Sequence, residues 1–159
     1  MVHAETRRRG GDVARETDEL TGMVIDAAIE IHRNLGPGLL ESVYELVLAA
    51  ELERQGLKVD RQRPVDIEYK GLRFGAAFRI DIMVEDALLI EIKSVEQLSR
   101  AHGKQLLTYL RLTHQPVGLL LSFAGATMKE GIQRVVNDFR PSRTPSASPR
   151  LRVNQINGA

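Results

Sequence analysis

Apolar residues recur at helical spacing along the first third of the chain. Between Asp18 and Arg33 they return every three or four positions, which predicts an amphipathic helix that ends at the Gly36-Pro37-Gly38 turn. A second helix is predicted from Leu39 to Gln55, and Gly56 suits the left-handed conformation that follows many helices. The side of this helix that we expect to be buried contains Leu40, Val43, Tyr44, Val47 and Ala50.

Alternating apolar and polar residues predict short strands after the second helix. Leu57 to Arg63 and Val65 to Tyr69 are candidate strands that Pro64 separates, because proline cannot donate a ladder hydrogen bond. Lys70-Gly71 is a turn signal, and Leu72 to Phe74 is predicted to return as another short strand. The chain therefore changes from helix to strand near residue 57.

Two further strands, within the stretch Phe78 to Ser94, combine apolar residues with charges. Asp81 lies on the first strand, and Glu91 and Lys93 lie on the second. A two-residue turn would place Asp81 on the opposite face from Glu91, whereas a three-residue loop or a bulge would place the two acids directly across from each other. Only the second register lets the acids share a site. Regular alternation predicts that one face of the first strand carries Phe78, Ile80, Ile82 and Val84.

The last third of the chain predicts a crossover unit. Leu98 to Thr113 has the spacing of a helix, and Val117 to Phe123 is continuously apolar, as in a strand buried on both faces. A strand, a helix and a buried strand in succession predict that the last strand is parallel to the strand carrying Glu91. Met128 to Phe139 is predicted to be a closing helix.

The composition agrees with one domain and two loose ends. A chain of 159 residues, 43% of them hydrophobic, can bury one sizeable core, which we place at residues 18–139. Residues 1–17 are polar, and residues 140–159 carry four arginines and no acid, so both ends are expected to be disordered. There is no cysteine, which excludes disulfides and thiolate metal sites. No apolar run approaches a membrane span of ~20 residues, so we expect a soluble cytoplasmic protein.

The charges of the two central strands have a chemical use if the acids are paired. Two carboxylates with Cβ atoms ~5 Å apart repel unless a proton or cation lies between them. Mg²⁺ meets that need, because one or two carboxylates with phosphate and water commonly hold it. In this interpretation Asp81, Glu91 and the Ile92 carbonyl are metal ligands, and Lys93 orients a water or offsets phosphate charge. The alternative, favoured by spacing alone, is a solvated face whose acids and lysine pair by charge.

Glu41 is a further candidate, because it lies between Leu40 and Val43 in the second helix. An unpaired carboxylate among apolar residues is costly, which indicates an added metal ligand or a residue that holds water. The alternative is an acid in the first turn that interacts with the helix dipole. Position alone does not separate the two.

A polar face of the helix after Lys93 adds candidates for substrate binding. His102, Gln105 and Tyr109 are spaced to lie on one side of this helix. A glutamine with a tyrosine one turn later can bind a phosphate or a base. The alternative is an ordinary polar helix face with Tyr109 half buried.

The chain resembles the GxxExxY protein family through Gly38, Glu41 and Tyr44. His32, the Leu35–Gly38 turn and the later Gln105–Leu110 segment are also similar to that family, and the resemblance covers roughly residues 20 to 137. The family is placed in the PD-(D/E)XK nuclease superfamily. The resemblance therefore implies an α/β, restriction-endonuclease-like fold with an αβββαβ core, in which helices flank a mixed sheet.

The resemblance also implies roles for individual residues. Asp81 matches the strand aspartate, Glu91 and Lys93 match the Glu-X-Lys pair, and Glu41 matches the helix glutamate. Gln105 and Tyr109 resemble the Gln-X-X-X-Tyr helix of the exonuclease branch. Ile80 replaces the proline of the nominal motif, a position that varies.

Two functional hypotheses follow. The leading one is a Mg²⁺-dependent phosphodiesterase, a nuclease acting on DNA, with Mn²⁺ as an alternative metal. The other is a catalytically inactive nuclease-fold module for binding or assembly, which a net charge of +1 and an aromatic content of 4% favour slightly because neither a basic channel nor a stacking platform is evident. A homo-oligomer is left open by the sequence.

Overall fold

A sheet of five strands with helices on both faces forms the fold. The computed structural model of the protein describes residues 10–138, with side chains from residue 16 onwards. In chain order, the elements are α1 (Gly10–Leu35), α2 (Glu41–Arg54), β1 (Val59–Tyr69), β2 (Leu72–Val84), β3 (Leu88–Lys93), α3 (Arg100–Thr113), β4 (Val117–Ser122), a 3-10 turn (Lys129–Gly131) and β5 (Ile132–Val136). None of the helices in this part of the chain is both long enough and apolar enough to cross a membrane.

The sheet is mixed, with the strand order β1-β2-β3-β4-β5. β3 and β4 are parallel and all other neighbours are antiparallel. The elements α2-β1-β2-β3-α3-β4 reproduce the predicted αβββαβ core, to which α1 and β5 are added. The predicted α/β fold class is confirmed.

The helix α1 packs with α2 against one face of the sheet. Its buried stripe follows the predicted spacing and consists of Leu20, Val24, Ala27, Ala28 and Ile31. The helix begins at Gly10, so the prediction that residues 10–17 are disordered is wrong. A polar segment can extend an existing helix because continuation costs much less than nucleation. Residues 1–9 and 139–159, the rest of the predicted loose ends, lie outside the described residues.

The helix α2 is rotated relative to the prediction. It begins at Glu41, which leaves Leu40 before the helix in extended backbone and 74% exposed. Ala50 is also exposed, so two of the five residues expected on the buried side are not there. Tyr44 is buried as predicted, and Leu48 and Leu52, one and two turns later on the same side of the helix, fill the core with it, together with Ala49. Gly56 has the predicted left-handed conformation, with φ +87°.

β1 and β2 are longer than predicted and form one hairpin. Pro64 lies within β1 instead of separating two strands, which is tolerated because β1 is an edge strand. Leu72 to Phe74 is not a separate strand but the first part of β2. A register shift after Val65 accommodates extra residues of β2.

The crossover from β3 through α3 to β4 is confirmed. β4 is parallel to β3 and buried along its whole length. α3 covers the second face of the sheet, where Leu106 and Leu110 pack against Leu89 and Leu120. α1 and α2 cover the first face, so β3 and β4 lie between two apolar layers.

The prediction of a closing helix from Met128 is wrong. A 3-10 turn leads into β5, which pairs with β4 from Leu121↔Ile132 to Val117↔Val136. A strand satisfies the backbone groups along the open edge of β4, which a helix at this place could not pair. Gly131 is required at the turn, because a Cβ there would lie 2.0 Å from the Ser122 carbonyl oxygen.

Candidate active site

The hairpin between β2 and β3 has the register that lets the acids meet. The pairs Ile82↔Ile90, Met83↔Leu89 and Val84↔Leu88 leave a three-residue loop, Glu85–Ala87. Continued by one step, this register sets Asp81 across from Glu91. The register that a shared site requires is confirmed.

Asp81 and Glu91 are linked through the backbones of each other's strands. The backbone N–H of Ile92 donates to Asp81 Oδ2 at 2.9 Å. The backbone N–H of Asp81 lies 3.4 Å from Glu91 Oε1, to which it donates. The regular pairs of β2 and β3 stop at Ile82, and these side-chain bonds take their place. The two carboxylates are thereby held at the same point of the sheet.

Burial and a neighbouring charge change the acidity of Glu91. Its side chain is buried, with the residue only 6% exposed. Burial raises the pKa of Glu91 to about 8, with the charge of Asp81 as the second cause, and Lys93 opposes the shift only in part. Without a cation beside it, Glu91 therefore holds a proton at neutral pH.

The strand β2 changes its alternation at Asp81. Ile80 packs with Met83 in the cluster under α3, whereas Ile82 packs in the cluster under α1 and α2. The prediction that Ile80 and Ile82 share a face is therefore wrong. Gln62, which lies opposite Asp81 in the β1–β2 register, has a left-handed φ of +52°, so the backbone of β1 is also irregular at this point, although the register is the same before and after it. Asp81 lies at the reversal and can reach groups on both sides of the sheet.

Gln62 joins Asp81 to a second acid that the sequence reading missed. Its amide Nε2 donates to Glu45 Oε2 at 2.8 Å and to Asp81 Oδ1 at 3.3 Å. Glu45 is a buried residue of α2. Arg61 Nη2 lies 3.2 Å from Glu45 Oε1 without the angles of a hydrogen bond, so this contact is an ion pair and Oε1 has no hydrogen-bond partner.

Glu41 is exposed in the structure. The argument from the cost of burial is wrong for Glu41 and applies to Glu45, one turn later on the same helix. Both glutamates lie in the wall of an open pocket of about 490 Å³. The pocket is lined by Leu39, Leu40, Glu41, Ser42, Glu45, Gln62, Asp81 and Ser94. The available signal for Glu45 was an isolated acid between Tyr44 and Leu46, inside the apolar part of α2.

Two of the candidate residues on α3 lie near the strands that carry the acids. Lys93 Nζ donates to Gln105 Oε1 at 3.1 Å. Tyr109 stacks on Phe78 with ring centroids 4.1 Å apart and an interplanar angle of 13°. Burial, followed by the negative charges of Glu91 and Asp81, raises the pKa of Tyr109. Gln105 and Tyr109 therefore line one side of the site.

His102 has a structural partner at the start of α3. Its Nδ1 accepts from the backbone N–H of Ser99 at 3.0 Å, and its own backbone N–H lies 3.4 Å from Ser99 Oγ, to which it donates. This reciprocal pair is a capping box. Because Nδ1 accepts, the proton of a neutral ring lies on Nε2.

Gly38 and Tyr44 build the turn that presents Glu41. Gly38 has a φ of +103°, which glycine adopts without strain. The Tyr44 hydroxyl donates to the Gly36 carbonyl at 2.5 Å and accepts from the Leu39 N–H at 3.2 Å. The Tyr44 ring stacks on Phe123 at 4.3 Å. Gly38 and Tyr44 therefore have structural roles in the turn. Of the three motif residues, Glu41 is the one that lines the pocket.

The acids do not form a closed metal cage. Across the described residues, no group of three or more His, Cys, Asp or Glu side chains is spaced to hold a metal ion. Asp81 and Glu91 form a pair, and Glu41 and Glu45 stand apart on α2. An open site of this kind suits Mg²⁺, which keeps waters and phosphate oxygens among its ligands.

A comparison with models of protein families agrees with this architecture. A family model for the PD-(D/E)XK nuclease superfamily matches residues 18–135. Among solved structures, that of SSO0001 is similar at 18% sequence identity with a TM-score of 0.49, and the match covers 81% of this chain. The chain spans 63% of the length of that structure. No curated protein matches the chain.

Proposed function

The chain belongs to the PD-(D/E)XK nuclease superfamily, and on that premise we propose that it is a metal-dependent nuclease that hydrolyses DNA phosphodiester bonds. The observation that carries the proposal is the link between Asp81 and Glu91, in which Ile92 N–H donates to Asp81 Oδ2 at 2.9 Å. This link holds two acids at one point with Lys93 one alternation away. Two carboxylates held at one point, one of them buried, are unfavourable without a proton or a cation, because each charge disfavours the other.

We assign the metal ligands from the same geometry. Asp81 and Glu91, with the Ile92 carbonyl, would hold Mg²⁺ or Mn²⁺, and Glu41 would join directly or through a water. The fit rests on the buried Glu91 carboxyl, which needs either its proton or a cation beside Asp81. When bound, a divalent ion neutralises phosphate charge and acidifies a water.

Residues around the metal position have separate tasks in the proposal. Lys93, held by Gln105, orients the attacking water or stabilises the charge that develops on the phosphate. Gln105 and Tyr109 orient the nucleic acid. His102 would contact it through Nε2, since Nδ1 is engaged in the helix cap. Glu45 acts as a positioning residue, because it holds the Gln62 amide that also binds Asp81.

Within the superfamily, we propose membership of the GxxExxY group. Gly38, Glu41 and Tyr44 supply its motif. The left-handed Gly38 and the Tyr44 hydroxyl, which accepts from the neighbouring Leu39 N–H, belong to one turn, and this supports the placement because the turn relates two of the motif residues.

Cleavage assays test the proposed function. Purified protein is incubated with single- and double-stranded DNA in Mg²⁺ or Mn²⁺, and wild type is compared with Asp81→Ala and Lys93→Ala. Lys129→Ala, in the 3-10 turn, is the matched control for loss of a lysine. We expect cleavage by wild type and the control and its loss in the other two. Equal cutting by all four proteins would identify a contaminant and overturn the assignment.

A further inference from the structure

The β1–β2 hairpin extends beyond the rest of the sheet. Pairing of β2 with β3 ends at Ile82, whereas β1 and β2 remain paired as far as Tyr69↔Leu72. We call residues 63–80 the β-arm. The base of the arm adjoins Asp81, and its tip is the Lys70-Gly71 turn.

One face of the β-arm is apolar and exposed. The pairs Ile67↔Phe74 and Tyr69↔Leu72 lie on this face, and Glu68↔Arg73 lies on the other. Tyr69 and Leu72 are each 62% exposed and Phe74 is 47% exposed. An isolated two-stranded ribbon is at best marginally stable in water. An exposed apolar face on such a ribbon is typical of an interaction site, because a bound ligand would cover it.

Three of the seven aromatic residues of the chain lie on this arm. The sequence contains three tyrosines and four phenylalanines. Tyr69, Phe74 and Phe78 belong to the arm, and Tyr109 of α3 stacks on Phe78 at its base. The low aromatic content therefore conceals a stacking platform.

A cation accompanies the rings at the tip of the arm. Lys70 Nζ lies 5.4 Å from the centroid of the Tyr69 ring. Within the described part of the chain, Lys70 is not paired with a carboxylate, whereas Arg73 is paired with Asp66. An exposed ring beside an unpaired cation is complementary to a strand with stacked bases and a charged backbone.

We propose that the β-arm binds single-stranded nucleic acid and delivers it to the acids at its base. Bases stack on Phe74 and Tyr69, and Lys70 contacts a phosphate. A single strand fits because its unpaired bases are free to lie on the rings, whereas a duplex keeps them stacked inside. The delivery step rests on the proposed nuclease function, but binding does not.

Binding is measured with the full chain and chelator, so that cleavage plays no part. The probe is a fluorescent oligothymidylate of about 15 nucleotides, within the known range of single-strand site sizes. The double variant Tyr69→Leu, Phe74→Leu keeps apolar surface but removes both rings. We expect its affinity to fall about tenfold or more. Leu46→Ala, at an exposed leucine of α2, is the control and should bind like wild type.

Further arms of the experiment separate the alternatives. Thermal unfolding verifies that the variants fold, and Lys70→Gln should reduce the salt dependence of binding. Unchanged oligonucleotide affinity in the leucine variant would overturn the proposal, as would equal affinity for a duplex. Sedimentation tests the other occupant, a second copy of the chain. If the wild type and the leucine variant are dimers and the double variant Tyr69→Ser, Phe74→Ser is a monomer, the face is a contact between copies and the proposal is overturned. If Asp81→Ala binds the oligonucleotide as strongly as wild type, the result supports binding by the β-arm. If the wild type binds but does not cleave, only the proposed nuclease function is overturned.

Discussion

Asp81 and Glu91 each hold the backbone of the other's strand. Ile92 N–H donates to the Asp81 carboxylate at 2.9 Å, and Asp81 N–H lies 3.4 Å from the Glu91 carboxylate, to which it donates. These bonds replace the regular ladder where β2 leaves β3. The acids therefore connect the sheet and at the same time form the centre of the proposed site.

The buried Glu91 makes the stability of the metal-free protein depend on pH. Its pKa is raised from 4.5 to about 8 in the folded state, so the folded protein binds this proton more tightly than the unfolded chain. The stabilisation is complete below about pH 4.5 and is lost as the pH rises toward 8. The loss is on the order of 4 kcal/mol. Urea unfolding in chelator across this range should show the decline.

The neutral variant Glu91→Gln should remove that decline, because it cannot ionise. Glu96→Gln, at an exposed glutamate, should keep the wild-type slope. Identical pH slopes for wild type and Glu91→Gln would show that Glu91 titrates normally.

The two glutamates of α2 should respond differently to substitution. Glu45→Ala leaves the Gln62 amide and Arg61 without their partner, and should lower the free energy of unfolding by about 1–3 kcal/mol. Glu41→Ala, at an exposed site, should change it by less than about 0.5 kcal/mol. Chemical unfolding of both variants measures the contrast, and equal effects would contradict the assigned positions.

The Tyr44 hydroxyl should stabilise the turn before α2. Tyr44→Phe keeps the ring stacked on Phe123 but removes the bond to the Gly36 carbonyl, so we expect a loss of about 1–2 kcal/mol in urea unfolding. Tyr69→Phe, at an exposed tyrosine of the β-arm, is the matched control and should be near neutral. A neutral Tyr44→Phe would mean that the turn is held by packing alone.

The sequence limited the register of the β2–β3 hairpin to two possibilities but did not decide between them. Both a two-residue and a three-residue loop fit the apolar pattern. The choice depends on contacts with residues far along the chain, because Lys58 N–H donates to Glu85 at 2.7 Å and Lys58 Nζ pairs with Asp86 at 2.8 Å. Gln115 also donates to the Asp86 carbonyl at 3.0 Å. Periodicity carries no information about such contacts.

Other differences have the same origin in tertiary contacts. Ile132 to Val136 contains three β-branched residues, which favour a strand, but the segment is only five residues long, and the free edge of β4 decides its structure. The rotation of α2 is set by packing on the sheet, so the sequence identified a helix glutamate but not that Glu45 is the buried one. The crossover around α3 was predictable because the continuously apolar β4 indicates burial on both faces.

Calorimetric titration of Mn²⁺ tests the central claim, that Asp81 and Glu91 share a divalent ion. At pH 8 the wild type should bind one ion per chain, and Asp81→Asn and Glu91→Gln should each weaken binding at least about tenfold, because each removes a charged ligand. Lys93→Met should still bind the ion, since Lys93 is not a ligand. Equal affinity in wild type and Asp81→Asn, or no binding by the wild type, would contradict the claim and favour a module that keeps the fold without the chemistry.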